Sequence, residues 1–298
     1  MTDQSTGSST LSTSNESYVD ATLFVVATPI GNLKDITRRA VEILESVDWI
    51  AAEDTRHTRQ LLQALGINQE LISLHEHNEE FRSQQLLERL QKGEKGALVS
   101  DAGTPLINDP GYHLVKLLRE QQVNVVPVPG PSAVITALCA AGLPTDRFSY
   151  EGFLPAKSNK RQLVLNSLKE DVRTLVFYES PHRVQATLAD MQTVFGDERT
   201  IVVARELTKK FEQFVSGSLA EVVEYFNDNT DKVRGEFVLM VGGATEKEAP
   251  ELTEYDGLIE VLLKQNIHVK QISEIVSDYT GLKKKPIYSR VLELKDND

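Results

Sequence analysis

The chain has 298 residues, of which 40% are hydrophobic and 26% charged, and its formal net charge is −12 at pH 7. This length allows two domains with their own cores, and no apolar run approaches the length of a membrane span. The acidic balance argues against indiscriminate nucleic-acid binding without excluding a local basic patch. A single cysteine, Cys139, excludes an intramolecular disulfide, and its apolar surroundings in sequence predict a buried core thiol.

The N-terminal segment differs from the rest in composition. Residues 1–20 are rich in Ser and Thr, carry acidic residues and have no apolar run of the signal-peptide kind. We therefore expect a disordered tail over 1–20, and a cytoplasmic protein without a membrane anchor.

Between residues 21 and 145, short apolar β-type runs alternate with amphipathic helical patterns. This rhythm is typical of parallel strands joined by helical crossovers, so it predicts an α/β domain with a largely parallel sheet. A break at 143–145 ends the last helix and marks the expected joint to the next domain. The predicted strands are 23–27, 48–52, 71–74, 97–100 and 123–128, and the helical patterns are 36–47, 58–67, 79–93 and 110–122.

A second α/β domain is predicted over 146–244. Only a few residues separate the strand that ends at 206 from the strand that begins at 212, which is too short for a parallel crossover. The second sheet is therefore expected to be mixed. Its predicted strands are 148–154, 173–179, 200–206, 212–217 and 235–243.

The C-terminal part is predicted to be a small helical domain over 251–298, after a polar linker at 244–250. Helical patterns at 258–265, 271–281 and 286–295 have the rhythm of a helix-turn-helix. The lysine run 283–285 lies between the last two helices. Two interpretations remain open from the pattern, a solvated helical appendage or a nucleic-acid contact.

Three turns rich in Gly and Pro directly follow apolar strands in the first domain. A strand that ends in such a turn forms a ligand crevice in open α/β sheets. The turns contain neither the Walker nor the GxGxxG pattern, and their prolines lack N–H donors, so they favour an uncharged or zwitterionic ligand over a phosphate. The segments are LFVVATPIGNL (23–33), ALVSDAGTPL (97–106) and VNVVPVPGPSA (123–133).

Several polar residues beside these turns have two interpretations each. Asp101 suits a ligand contact or an Asx cap of its own turn, and Asp54 suits an N-cap or a substrate contact. His75 and His77 would share one face of a strand, but no further His or Cys motif completes a zinc site, so no metal is expected. Glu179 follows a strand and suits a general base or a salt bridge.

Taken together, eight segments resemble one known family. The chain resembles the small-subunit (16S) ribosomal RNA cytidine 2′-O-ribose methyltransferases of the tetrapyrrole-methylase-like superfamily, over about residues 22–298. The TPIGN turn departs from the glycine-rich first loop of tetrapyrrole enzymes, which favours the RNA branch. The segments are TPIGNLKDIT, AEDTRHT, SDAGTPLINDPG, VPGPSA, EGFLPAK, FYESPHR, ARELTK and GEFVL, in this order.

The resemblance implies S-adenosylmethionine in a cleft between two α/β domains, a homodimer, and ribosomal RNA or the small ribosomal subunit as the partner. It implies an enzyme that methylates the 2′-oxygen of a cytidine ribose. The cofactor contacts carried over by position are Pro29, Ser100, Asp101, Ala102, Gly103, Ser132, Ala133, Leu154, Tyr178, Leu207 and Gly242.

Methyl transfer to a ribose hydroxyl requires positioning of the hydroxyl and removal of its proton. The candidates for the base or hydroxyl orienter are Asp54, Glu79 and Glu179, and those for phosphate or ribose contacts are Arg56, Arg183 and Lys209. Two other functions are compatible with the same fold. These are methylation of a tetrapyrrole or another small molecule, and a non-catalytic RNA-binding role in assembly.

Overall fold

A computed structural model describes residues 21–245 and 252–296. The expected tail over 1–20 and most of the expected linker at 244–250 lie outside the described residues. The chain divides after Gly243 into two compact units. The first unit holds two five-stranded sheets with helices, and the second is helical. The predicted fold class is therefore confirmed.

The first sheet is entirely parallel, with the order β3-β2-β4-β1-β5. Helices connect its strands in the predicted alternation. The strands are β1 (Thr22–Val26), β2 (Trp49–Ala52), β3 (Glu70–Ser73), β4 (Lys95–Val99) and β5 (Asn124–Val128). The helices are α1 (Arg38–Ser46), α2 (Thr55–Leu65), α3 (Glu79–Gln91), α4 (Tyr112–Glu120) and α5 (Ala133–Ala141).

Both faces of this sheet are covered, which explains why its strands are apolar throughout. α1 and α2 pack on one face and α3 and α4 on the other. Trp49 is fully buried on the second face. A Cβ atom on residue 96 would lie only 2.2 Å from its ring, so glycine leaves the space that the indole occupies. A larger residue than glycine at position 96 would therefore displace the indole.

His75 and His77 were expected to share one face of a strand, but the structure places them outside any strand. β3 ends at Ser73, and His75 and His77 belong to the turn before α3. Their rings are in edge contact, with centroids 6.0 Å apart. The backbone of a turn, not the alternation of a strand, sets the directions of the two side chains. Within residues 21–245 and 252–296, no group of His, Cys, Asp or Glu is arranged to hold a metal ion.

The second sheet is mixed and has the order β6-β7-β10-β8-β9. β6 and β7 are parallel, whereas β10 is antiparallel to both β7 and β8. β8 and β9 are antiparallel, as their short connection predicts. The strands are β6 (Phe148–Phe153), β7 (Thr174–Glu179), β8 (Thr200–Arg205), β9 (Gln213–Ser218) and β10 (Phe237–Val241), with α6 (Ser158–Ser167), α7 (Val184–Phe195) and α8 (Leu219–Asp228).

Helix α5 packs on the second sheet and joins the two halves of the first unit. Val134 and Leu138 of α5 share a buried cluster with Ile30 of the first turn and with Val238 of β10. The opposite face of α5 is exposed. Cys139 lies on that face, so the prediction of a buried thiol is wrong, because an apolar sequence did not reveal which face of the helix packs.

The second unit has its own small core. It contains α9 (Asp256–Lys264), α10 (Val269–Thr280) and α11 (Lys284–Asp296), which bury five aliphatic side chains together. Gly281 ends α10 in the left-handed conformation, as a helix terminus favours. No helix in the described parts of the chain is both long and apolar enough to cross a bilayer.

A buried ion pair holds α6 against α7. Arg161 is 4% exposed and donates from Nε to Oδ2 of Asp190 at 2.6 Å. Ser158 and Gln162 also donate to this carboxylate, at 3.0 and 2.7 Å. Removal of one partner from a buried pair leaves an uncompensated charge, which costs far more than loss of an exposed pair.

We expect Asp190→Ala to lower the free energy of unfolding by about 3–5 kcal/mol, because Arg161 would remain buried without its counterion. The matched control is Glu120→Ala, which removes the exposed Lys116–Glu120 pair of α4 and is expected to cost less than about 1 kcal/mol. Urea unfolding at pH 7, followed by circular dichroism, measures both changes. Equal costs for the two variants would contradict the buried-pair interpretation.

Candidate active site

The three turns noted in the sequence meet at one edge of the first sheet. β4, β1 and β5 are neighbours and run in parallel, so the turns that follow them lie side by side. Thr28 and Gly103 exchange two backbone hydrogen bonds, of 2.8 and 3.0 Å. The Thr104 hydroxyl donates to the Pro131 carbonyl at 3.0 Å and so links the second turn to the third. The turns therefore form one connected backbone framework.

The second turn contains unusual backbone conformations. Gly103 has φ +83°, Leu106 +72° and Asn108 +67°. A left-handed residue other than glycine costs about 1–2 kcal/mol, and such residues persist only where the surrounding structure holds them. The Tyr150 hydroxyl of β6 donates to Oδ1 of Asn108 at 2.7 Å, so the second sheet helps to hold this turn.

A cavity of about 300 Å³ lies between the second and third turns and the edge of the second sheet. This volume is at the lower end of the range for small-molecule sites. The lining includes three carboxylates and no lysine or arginine, so the cavity favours a cationic or zwitterionic ligand over a phosphate. The lining residues are Ile30, Ala102, Gly103, Thr104, Ile107, Asn108, Asp109, Ser132, Ala133, Phe153, Tyr178, Glu179, Ser180, Pro181, Glu236, Phe237 and Val238.

The structure distributes the expected cofactor contacts in three ways. Those that line the cavity are Ala102, Gly103, Ser132, Ala133 and Tyr178. Those that flank or underlie these elements without lining the cavity are Pro29, Ser100, Asp101, Leu154 and Leu207. Gly242 lies elsewhere. β10 runs antiparallel to β7, so the residue after Val241 lies at the Leu175 end of the sheet, away from Tyr178, and Gly242 does not line this cavity.

Asp101 stabilises the strand edge. Its Oδ1 accepts a hydrogen bond from the Asp54 backbone N–H at 3.1 Å, which links the end of β4 to the end of β2. The contact lies across the sheet rather than within the turn of Asp101. The side chain therefore holds two loops together instead of forming the local Asx cap that one interpretation of the sequence predicted.

Asp54 is the N-cap of α2, as one of its two interpretations predicted. Its carboxylate accepts a 2.8 Å hydrogen bond from the Arg56 backbone N–H and a second 2.8 Å bond from the Arg56 guanidinium. These bonds hold the pKa of Asp54 well below its ordinary value. A carboxylate so stabilised is a weak base, and its partner Arg56 projects into solvent with 88% of the side chain exposed.

The other two expected bases are also held in structural bonds. Oε1 of the buried Glu79 accepts from the backbone N–H groups of Gly111 and His113, at 3.0 and 2.7 Å, and so holds the start of α4. Glu179 accepts from the Ser180 N–H at 2.8 Å and from the Thr187 hydroxyl at 2.6 Å. Both carboxylates thus fix loops at the site.

The expected basic contacts are likewise paired inside the protein. Arg183 donates to the Leu154 carbonyl and lies 3.4 Å from Glu179. Lys209 lies between Glu206 and Glu236, with N–O distances of 2.9 and 2.8 Å. The structure therefore assigns both residues roles in holding the second domain's loops.

Asp109 is a lining carboxylate that was not among the candidates expected from the sequence. Burial raises its pKa to about 6, and the charge of Asp101 adds to the shift while a hydrogen bond with Ser100 opposes it. Among the described residues no cation pairs with it, whereas Glu236 pairs with Lys209 and Glu179 lies beside Arg183. Its position in SDAGTPLINDPG was a signal, but only the folded turn places the side chain in the cavity.

We expect Asp109→Asn to stabilise the protein above about pH 6. In the folded protein the pKa of Asp109 is about 6, whereas its ordinary value is 3.8. Between pH 3.8 and pH 6, therefore, Asp109 is ionised in the unfolded chain but still protonated in the folded protein. The wild type therefore loses stability as the pH rises through this window, and the variant does not. Urea midpoints at pH 4 and 7.5 measure the difference. The exposed Asp146→Asn is the control, and an equal response of both variants would contradict the assignment.

Comparisons with known proteins agree with this architecture. The family model described as Tetrapyrrole (Corrin/Porphyrin) Methylases matches residues 22–223. The chain is 50% identical over 274 residues to a protein of Escherichia coli O157:H7 named Ribosomal RNA small subunit methyltransferase I, covering 91% of this chain and 94% of that protein. A Synechocystis protein of the same name is 49% identical over 275 residues, covering 92% and 98%.

A solved structure supports the fold. The cobalamin biosynthetic enzyme cobalt precorrin-4 methyltransferase superposes with a TM-score of 0.56 at 17% sequence identity, covering 74% of this chain and 95% of that chain. At this identity the likeness concerns the fold alone. The family model, by contrast, matches most of the first unit and includes all three turns that frame the cavity. The chain therefore belongs to the tetrapyrrole (corrin/porphyrin) methylase family.

Proposed function

We propose that this protein transfers a methyl group from S-adenosylmethionine to the 2′-oxygen of a cytidine ribose in small-subunit ribosomal RNA. The observation that carries the proposal is the extent of similarity to the curated relatives. An alignment of 274 residues is longer than the whole first unit, which ends at Gly243, so it extends into the helical second unit. Similarity confined to the methylase fold would not distinguish an RNA substrate from a tetrapyrrole.

The cavity has the chemistry that the methyl donor requires. Its carboxylates and its lack of lining lysine and arginine suit a ligand with a sulfonium and an ammonium group. The backbone of Ala102, Gly103, Ser132 and Ala133 would hold the donor, with Tyr178 on the opposite side. When bound there, S-adenosylmethionine would supply an activated methyl group for transfer to the ribose oxygen, with S-adenosylhomocysteine as the leaving group.

The protein's own task is to position the ribose hydroxyl and accept its proton. Among the lining carboxylates, Asp109 is the one with no cationic partner in the described parts of the chain, and its pKa of about 6 leaves it mostly ionised yet basic at neutral pH. A base with a pKa near the working pH is the most effective. We therefore assign to Asp109 the role of accepting the hydroxyl proton, in place of Asp54, Glu79 and Glu179.

The direct test is incubation of the purified protein with labelled S-adenosylmethionine and, in parallel, undermodified small ribosomal subunits, naked RNA or a tetrapyrrole precursor. We expect label in RNA, recovered after digestion as 2′-O-methylcytidine. Label in the tetrapyrrole would instead support a small-molecule methyltransferase. Bound donor without label in any acceptor would support an assembly factor and refute the proposal.

We expect Asp109→Asn to lower kcat by about 10²–10⁴-fold, because proton transfer from the hydroxyl would lose its acceptor. In the wild type, kcat/KM should rise with pH through about 6, and this limb should be absent in the variant. The matched control is Asp54→Asn, which retains an N-capping side chain and should change kcat less than tenfold. Calorimetry with S-adenosylmethionine checks that each variant still binds the donor.

We further propose that the protein acts as a homodimer, in the cytoplasm where its ribosomal substrate would be. α5 presents Ile135, 55% exposed, and Cys139 one helical turn later, which is an apolar surface suited to a second copy. Sedimentation equilibrium should give twice the 33.2 kDa chain mass, and Ile135→Asp should shift the protein toward the monomer. A monomeric wild type at micromolar concentration would contradict this.

A further inference from the structure

The helical second unit contains a basic groove formed by residues from all three of its helices. The groove has a volume of about 740 Å³ and is lined by Lys264 at the end of α9, Lys270 in the first turn of α10 and Lys295 near the end of α11. His268 and Tyr288 line it as well. We refer to this feature as the lysine groove. It is distinct from the lysine run 283–285, which contributes no lining residue.

The charges of the lysine groove are not neutralised within the described structure. None of its described lining residues is acidic, and Lys264, Lys270 and Lys295 form no ion pair with any described residue. The acidic residues of the same unit are partly engaged elsewhere: Asp256 and Glu293 pair with Arg290, and Glu274 pairs with Lys284. Three positive charges therefore converge on one concave surface of a protein whose net charge is −12.

The proposed methyl-transfer cavity itself does not suit the phosphates of an RNA acceptor. That cavity is lined by carboxylates and has no lysine or arginine, so it repels phosphates. The basic residues expected to bind RNA, Arg56, Arg183 and Lys209, are each paired with a carboxylate. Lysines of the second unit that form no ion pair with any described residue offer additional electrostatic attraction for a phosphate backbone.

We propose that the lysine groove binds the phosphodiester backbone of the RNA substrate. This inference rests on the proposed function and adds the surface through which the RNA is held. Lysines provide the charge that releases counterions from phosphates. Tyr288, 44% exposed at the groove, provides an aromatic face on which an unpaired base can stack.

The test compares two full-length triple variants that lose the same charge from the same unit. The groove variant is Lys264→Gln with Lys270→Gln and Lys295→Gln, and the control variant is Lys283→Gln with Lys284→Gln and Lys285→Gln. Fluorescence anisotropy with a labelled single-stranded fragment of small-subunit RNA gives the association constant K over 50–300 mM salt. Donor affinity and thermal unfolding of each variant show that the fold is retained.

We expect the slope of log K against log salt concentration to be less steep by about 2 in the groove variant than in the wild type. Each phosphate contact on a single strand contributes about 0.7 to this slope, and the variant lacks three lysines. Its affinity near 150 mM salt should fall roughly tenfold or more, while the control variant stays close to the wild type. Equal slopes for groove variant and wild type, or equal losses in both variants, would overturn the inference. Failure of the wild type to methylate any RNA would instead refute the proposed function, so the two failures are distinguishable.

Discussion

The paired backbone bonds between Thr28 and Gly103 are the constraint on which the site depends. They join the turns after two adjacent parallel strands, and the Thr104–Pro131 bond adds the third turn. Backbone groups that bond to one another across the strand edge cannot move independently, so the cavity wall is preformed. The positive φ angles at Leu106 and Asn108 are tolerated because this framework and Tyr150 hold the turn from both sides.

The carboxylates in and around the cavity fall into two groups, those that hold loops through hydrogen bonds and Asp109. Asp54, Glu79 and Glu179 accept hydrogen bonds from nearby backbone or side-chain donors and fix loops in place. Asp109 has no cation beside it among the described residues, and burial keeps its pKa near 6 at a cost in stability. The folded protein thus retains a less stable carboxylate at the point where a proton acceptor is useful, as functional sites commonly do.

The cavity of the first unit and the lysine groove of the second differ in local charge. The methylase cavity is acidic and suits a cationic donor, whereas the lysine groove of the helical unit is basic and suits a polyanion. Recognition of RNA by an acidic protein is then a matter of local surface, not of net charge. Arg183 and Lys209, which follow strands of the second sheet, are paired with glutamates and contribute to the fold.

The sequence by itself determined the alternation of strands and helices, the antiparallel β8–β9 pair and the three turns, because hydrophobic period and turn residues are local properties. Only the tertiary structure decided the rest. It placed Gly242 at the end of the sheet opposite to the cavity, because strand direction depends on pairing with β7. It exposed Cys139, since packing selects one helix face. It also distinguished Asp109 from the other lining acids, because burial and the lack of a neighbouring cation among the described residues arise only when distant segments meet.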